Sequence, residues 1–153
     1  MVCTPRNTEA HRFHLWDFPA LHLVRLAAPR ITAQRLVVLA QRVPRRVERL
    51  EKLAVEITAF GGRALPIRLD VTEAADICAC VDAVESTLGA VDILVNNAGV
   101  ADAKWLAEMK EDDYDFIMNT NLKGAWMVAM EVGRRMIVHD RGGKIINIAS
   151  IAG

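Results

Sequence analysis

The sequence predicts an α/β fold built on a parallel sheet. From residue 36 onward, short apolar segments of the buried-strand kind alternate with longer segments of helical periodicity. The helical segments run into glycines, at Gly61–Gly62, Gly89 and Gly142–Gly143. Single helices between successive strands imply right-handed crossovers, which join parallel strands. With 153 residues, 52% of them hydrophobic and 25% charged, the chain is long enough for one domain with a real core.

Taken in order, residues 1–30 are weakly patterned. Phe13–Phe18 passes for a short strand, and Ala20–Ala28 for a helix ended by Pro29. Leu36–Ala40 is a short apolar strand. Pro44 suits a helix start, and Val47, Leu50, Leu53, Ala54 and Ile57 follow at helical spacing until Gly61–Gly62. Leu65–Leu69 is the next strand, with Asp70 and Val71 at its exit. Thr72 is placed to cap a helix whose stripe is Ala74, Ile77, Cys78, Val81, Val84 and Leu88. Val91–Val95 is a buried strand that runs into Asn96-Asn97-Ala98-Gly99. A long helix covers 111–138, and Lys144–Ser150 is the last strand.

That long helix carries an apolar stripe of Tyr114, Ile117, Met118, Ala125, Val128, Ala129, Val132 and Met136, with Asn121 inside it. A buried amide costs a few kcal/mol unless it is hydrogen-bonded. Gly124 adds about 1 kcal/mol of helix cost beside it. The pair suggests either a place where something approaches the helix closely or a satisfied core asparagine.

The zero net charge hides a seam. Residues 1–47 carry eight arginines and no lysine against Glu9 and Asp17, whereas residues 48–153 carry eleven basic and seventeen acidic residues. No glycine precedes Gly61. Residues 1–43 are therefore read as an atypical basic, glycine-free segment, frame-shifted or poorly ordered, apart from a domain over 44–153. Its arginines are scattered among apolar residues, so no nucleic-acid partner is expected. No apolar run approaches the roughly 20 residues of a membrane helix, and no apolar leader segment opens the chain, so a cytoplasmic location without a membrane partner is expected. Cys78 and Cys80 lack the second pair that a metal finger needs, so no metal site is expected.

Asp70-Val71, Asn96-Asn97-Ala98-Gly99, Asn121-Leu122-Lys123-Gly124 and Ile146-Asn147-Ile148-Ala149-Ser150 resemble, in order and spacing, the successive motifs of the short-chain dehydrogenase/reductase family. The resemblance covers about residues 44–153. It implies a partial Rossmann-type doubly wound parallel sheet with flanking helices, its N-terminal strand unrecognisable here, and NAD or NADP as cofactor. By resemblance, Asp70 accepts from the adenine amino group and Val71 packs the ring. Asn97, Ala98 and Gly99 admit the cofactor ribose, and one amide of the asparagine pair ties neighbouring strands. Asn121 holds a water in a proton relay, and Ser150 bonds the substrate carbonyl. Blander readings stand beside these: a loop carboxylate favoured by a helix N-terminus, an ordinary turn, a core amide and a commonplace strand-end serine. Trp105, Trp126 and Asn147 are read as packing, subunit or structural residues, and His139 as complementing the C-terminal dipole of its helix.

Two departures limit what the resemblance implies. The family's Thr-Gly-x-x-x-Gly-x-Gly turn, which rests a pyrophosphate on a helix N-terminus, is absent. The Tyr-x-x-x-Lys pair, due about 13 residues after Ser150 by resemblance, is absent too; Tyr114, the single tyrosine, is followed four residues on by Met118. The expectation is an oxidoreductase of a carbonyl/alcohol pair that is inactive as this chain alone, or a non-catalytic nucleotide- or partner-binding module. The family's small-molecule substrate is unreadable here. Arg45 and Arg46 follow the second strand, where NADP-preferring members carry arginines, but the choice between NAD and NADP stays open. A homo-oligomer face on the 111–138 helix is implied.

Overall fold

A computed structural model describes residues 21–25, 36–41, 47–102 and 104–149. Its elements are β1 (Leu21–Arg25), β2 (Leu36–Gln41), α1 (Val47–Ala59), β3 (Arg63–Arg68), α2 (Ala74–Leu88), β4 (Ile93–Asn96), α3 (Glu111–Met118), α4 (Ala125–His139) and β5 (Lys144–Asn147). A 3₁₀ turn, Leu106–Glu108, precedes α3, and a π turn, Asn119–Gly124, joins α3 to α4. The five strands form one sheet in the order β3-β2-β1-β4-β5, a doubly wound α/β arrangement with flanking helices.

β2 pairs with β3 in parallel, Val38 opposite Leu65, and β4 with β5 in parallel, Leu94 opposite Ile145. β1 fills the slot between β2 and β4 but runs antiparallel to both, with Leu23 opposite Val38 and Leu94. The helix expected over Ala20–Ala28 is thus replaced by a strand at Leu21–Arg25. Five residues are too few for periodicity to separate helix from strand. Without β1, the facing backbone edges of β2 and β4 would lack partners, and pairing both is decisive. Phe13–Phe18, Pro44 and Ser150 lie outside the described residues.

α2 and α4 cover one part of the sheet. Ile77, Val81 and Val84 of α2 meet Val128 and Val132 of α4 over Leu94, which is 0% exposed. In α2 the buried cysteine is Cys80, and the expected Cys78 is exposed. The buried set Ile77, Cys80, Val81, Val84 and Leu88 follows a 3.6-residue period, which fixes the face more firmly than the stripe first assigned. Thr72 does not cap α2. Glu73 sits at that position without a side-chain cap, because the Thr72 hydroxyl is turned to Asp70. α1 closes as expected: Gly61 adopts φ +75°, and the Gly62 N–H donates to the Ile57 carbonyl at 2.9 Å.

The long helix carries a correction. Val128, Val132 and Met136 are buried as its stripe requires, yet Tyr114 is 56% exposed and Asp113 is buried in its place. The π turn is the cause. It inserts a residue into the helix, and each residue turns the face by about 100°. Asp113 accepts from the Lys110 N–H at 3.0 Å and takes the Lys104 ammonium, whose proton the Asp113 and Asp102 carboxylates hold more tightly than usual. At the far end, Arg135 bridges Asp82 and Glu85 of α2 and Glu131 of its own helix, at 2.8–3.0 Å. His139, read only as a dipole partner, also reaches Glu85 at 2.9 Å. None of the described helices is long and apolar enough to cross a membrane.

Candidate functional site

β3 and β4 end at the same edge of the sheet, and their exit loops carry two of the four motifs. Leu69 is buried as β3 runs out, and Asp70 follows at 9% exposure. Its Oδ1 accepts from the Thr72 N–H at 3.0 Å and the Thr72 hydroxyl at 2.7 Å, which makes an Asx turn of the exit. The Asp70 N–H donates to Asp76 of α2 at 3.3 Å. Val71, 7% exposed, faces the π turn. A Cβ on Gly124 would lie 2.7 Å from Val71 Cγ2 and 3.1 Å from its carbonyl. The group whose close approach Gly124 implied is therefore the protein's own Val71.

The β4 exit divides its two asparagines by task. Asn96, 4% exposed, donates from Nδ2 to the Ala125 carbonyl at 2.9 Å and to Asn147 Oδ1 at 3.1 Å. It ties β4 to α4 and to β5, and Asn147 is its structural partner. Asn97 and Ala98 are half-buried, Ala98 packed on the core. Gly99 is exposed, and among the described residues a Cβ there would meet only Asn121 Oδ1, at 3.7 Å.

Asn121 differs from its expected setting. It is exposed rather than buried in the stripe. Its Oδ1 accepts from the Val100 N–H and its Nδ2 donates to the Val100 carbonyl, both at 2.8 Å. This reciprocal pair fixes the amide and pins the loop after Gly99 to the helix. The π turn therefore touches both exit loops, Val71 through Gly124 and Val100 through Asn121. π turns inside α-helices recur at functional sites because they re-aim side chains that a regular helix would hold elsewhere.

The structure brings Asp70, Val71, Gly99 and Asn121 around this turn. Ser150 lies outside the described residues, three positions beyond the end of β5. Two features escaped the sequence. One is a cavity of about 270 Å³ beside the Asp70 exit, lined by Thr72, Glu73, Phe116, Asn119, Thr120 and Lys123. The Thr120 hydroxyl at its wall is buried and has no hydrogen-bond partner among the described residues. Nothing local marks a cavity made by two segments some 45 residues apart. The other is the clamp of Lys104 on Asp102 and Asp113, which holds the 97–110 loop; Asp113 three residues after Lys110, in the spacing of a capping box, was the legible sign.

Comparisons with known proteins agree with the geometry. A family model described as short chain dehydrogenase matches residues 25–153. Galactitol 2-dehydrogenase of Agrobacterium fabrum is 40% identical over 104 residues, 68% of this chain and 41% of that protein. The 3-oxoacyl-[acyl-carrier-protein] reductase FabG of Thermotoga maritima is 39% identical over 106 residues, 69% of this chain and 43% of that protein. Among solved structures, a short-chain type dehydrogenase/reductase from Mycobacterium marinum superposes with a TM-score of 0.71 at 34% identity, covering 76% of this chain and 46% of that one. A gluconate 5-dehydrogenase from Burkholderia cenocepacia, in complex with NADP and tartrate, gives 0.64 at 39% identity over 74% and 43%. The chain spans about two fifths of the length of these curated relatives.

Proposed function

The chain belongs to the short-chain dehydrogenase family, and from that premise we propose that its two exit loops and π turn are the cofactor-facing wall of an oxidoreductase for a carbonyl/alcohol pair. NAD or NADP is the cofactor of this family, and the gluconate 5-dehydrogenase was solved with NADP. The observation that carries the reading is the convergence of Val71–Gly124 and Val100–Asn121 on one helical turn. It brings together residues 53 and 21 positions apart, and among the described residues only Asn121 stands within 4 Å of a Cβ built on Gly99. Asp70 accepts from the adenine amino group, with Val71 beside the ring. Asn97, Ala98 and Gly99 receive the ribose. Asn121 and Ser150 are two members of a proton-handling set.

Among these 153 residues the proposed wall has no proton donor of the family's kind. The family's proton donor is a tyrosine whose pKa is lowered by a lysine four residues on. Tyr114 is the single tyrosine, Met118 stands at the lysine position, and the ring is exposed on the far phase of the helix. The same observation favours a second reading, a nucleotide-binding module without catalysis. The substrate is a small carbonyl or alcohol compound acted on by the complete site.

The decisive experiment titrates the chain with NADH and NADPH, following thermal melting, and assays carbonyl reduction in parallel. Binding without reduction is expected. Reduction by this chain alone would sink the assignment of Asn121 and Ser150 as an incomplete set. A cooperative melt that neither nucleotide moves would remove the cleft reading itself.

A further inference from the structure

Sheets of this kind bind ligands outside the carboxyl ends of their strands, where the strand order reverses, and a pyrophosphate rests there on the N-terminus of the helix after the central strand. In this chain the central strand runs the other way. Leu21 of β1 pairs with Ala40 and Asn96, at the carboxyl ends of β2 and β4, whereas Arg25 pairs with Leu36, at the amino end of β2. The chain enters β1 beside Asn96 and leaves it at the opposite edge of the sheet. The turn that would cradle a pyrophosphate cannot follow β1 on the side of the site. Nor does residue 1–60 contain a glycine to let a phosphate come close to backbone N–H groups.

The helices that do start at the site edge are poor substitutes. α2 begins beside Glu73 with Asp76 in its first turn, and α3 begins with Glu111, Asp112 and Asp113. Carboxylates in a first turn satisfy the helix dipole themselves and repel a phosphate. By contrast, the groups proposed above for a base and a ribose stand on described elements: the Asx turn of Asp70, the exposed Gly99 and the pinned loop after it.

From this disparity we propose that the chain is a site for the adenosine moiety alone. It holds adenine and ribose and gains no affinity from the pyrophosphate or the second nucleoside of a dinucleotide. The proposal rests on the cleft reading above and narrows its ligand class to adenine nucleosides.

Isothermal titration of the 153-residue chain with adenosine, ADP and NADH tests it. NADH is used rather than NADPH so that a 2′-phosphate adds no charge of its own to the comparison. The three dissociation constants are expected to agree within about threefold, a difference well under the 1.4 kcal/mol of a tenfold change. Gly99→Ala is expected to melt with the parent, since among the described residues its Cβ meets only Asn121 Oδ1 at 3.7 Å, and to weaken all three ligands alike by about tenfold. ADP or NADH binding at least tenfold more tightly than adenosine overturns the proposal and leaves the cleft reading standing. Binding that Gly99→Ala does not change moves the ligand off this loop and also overturns it. Binding of none of the three overturns the proposal and the cleft reading together.

Discussion

Gly124 shows how one missing methylene group holds two motifs together. A Cβ there would sit 2.7 Å from Val71 Cγ2, 3.1 Å from the Val71 carbonyl and 3.2 Å from the Asn119 carbonyl. Two of these neighbours are backbone and cannot swing away. Gly124→Ala gains up to about 1 kcal/mol of helix propensity and loses about 1–3 kcal/mol to overpacking. Urea unfolding is therefore expected to show a net loss of up to about 2 kcal/mol. Cys80 carries a different signature. Burial, with the Asp76 carboxylate adding to it, pushes its thiol up from 9.0 to about 11. The folded state then holds the proton more tightly than the unfolded chain does. This contribution is present in full below pH 9 and is lost as the pH rises to 11. It amounts to about 2–3 kcal/mol at most. Denaturant midpoints measured from pH 8 to 11 should fall more steeply for the parent than for Cys80→Ala; equal slopes would show that the thiol does not stay protonated. That one cysteine of the pair would be buried was legible in the stripe. Which one was not, because Cys78 lies about 100° from Ile77 and Cys80 about 100° from Val81, on opposite flanks of the stripe, and a loosely drawn face can take in either.

At the scale of elements, the π turn is what the sequence concealed. A continuous helix over 111–138 is what the periodicity supports, and α3, the π turn and α4 together cover that span. The extra residue rotates Tyr114 out to solvent and aims Asn121 at the β4 exit. Asn121→Ala removes both 2.8 Å bonds to Val100. Its stability cost is expected to be about 1 kcal/mol, as for exposed hydrogen bonds. The sharper readout is hydrogen exchange: the Val100 amide should exchange markedly faster while amides inside α4 keep the parent rate. Uniform acceleration would instead mean that Asn121 merely supports the whole helix. On the outer face of the same helix, Leu122 and Trp126 are 62% and 60% exposed at i,i+4 spacing, and Ile137 is 79% exposed further along. This apolar face is proposed as the homo-oligomer contact. Trp126→Glu should lower the solution mass measured by light scattering to that of a monomer without moving the far-ultraviolet spectrum; an unchanged mass would place the contact elsewhere.

For the molecule as a whole, four of the five strands and the three crossover helices were readable because each is a local pattern: an apolar run, a 3.6-residue stripe, a closing glycine. The motif residues at the strand exits were readable for the same reason, since Asp70-Val71 and Asn96-Asn97-Ala98-Gly99 each sit within a few residues of a recognisable strand end. These local signals determined the fold class and the family. They could not determine which five residues would fill the centre of the sheet, or in which direction. The tertiary structure settles both through pairing: Leu21–Arg25 enters antiparallel because β2 and β4 present backbone groups that only a strand can satisfy. Nor could they show that Val71 and Val100 meet a single helical turn, since that contact joins residues 53 and 21 positions from Gly124 and Asn121. Composition and periodicity act over one element at a time. Strand direction and the meeting of distant loops depend on the free energy of the packed whole, so only the tertiary structure decided them.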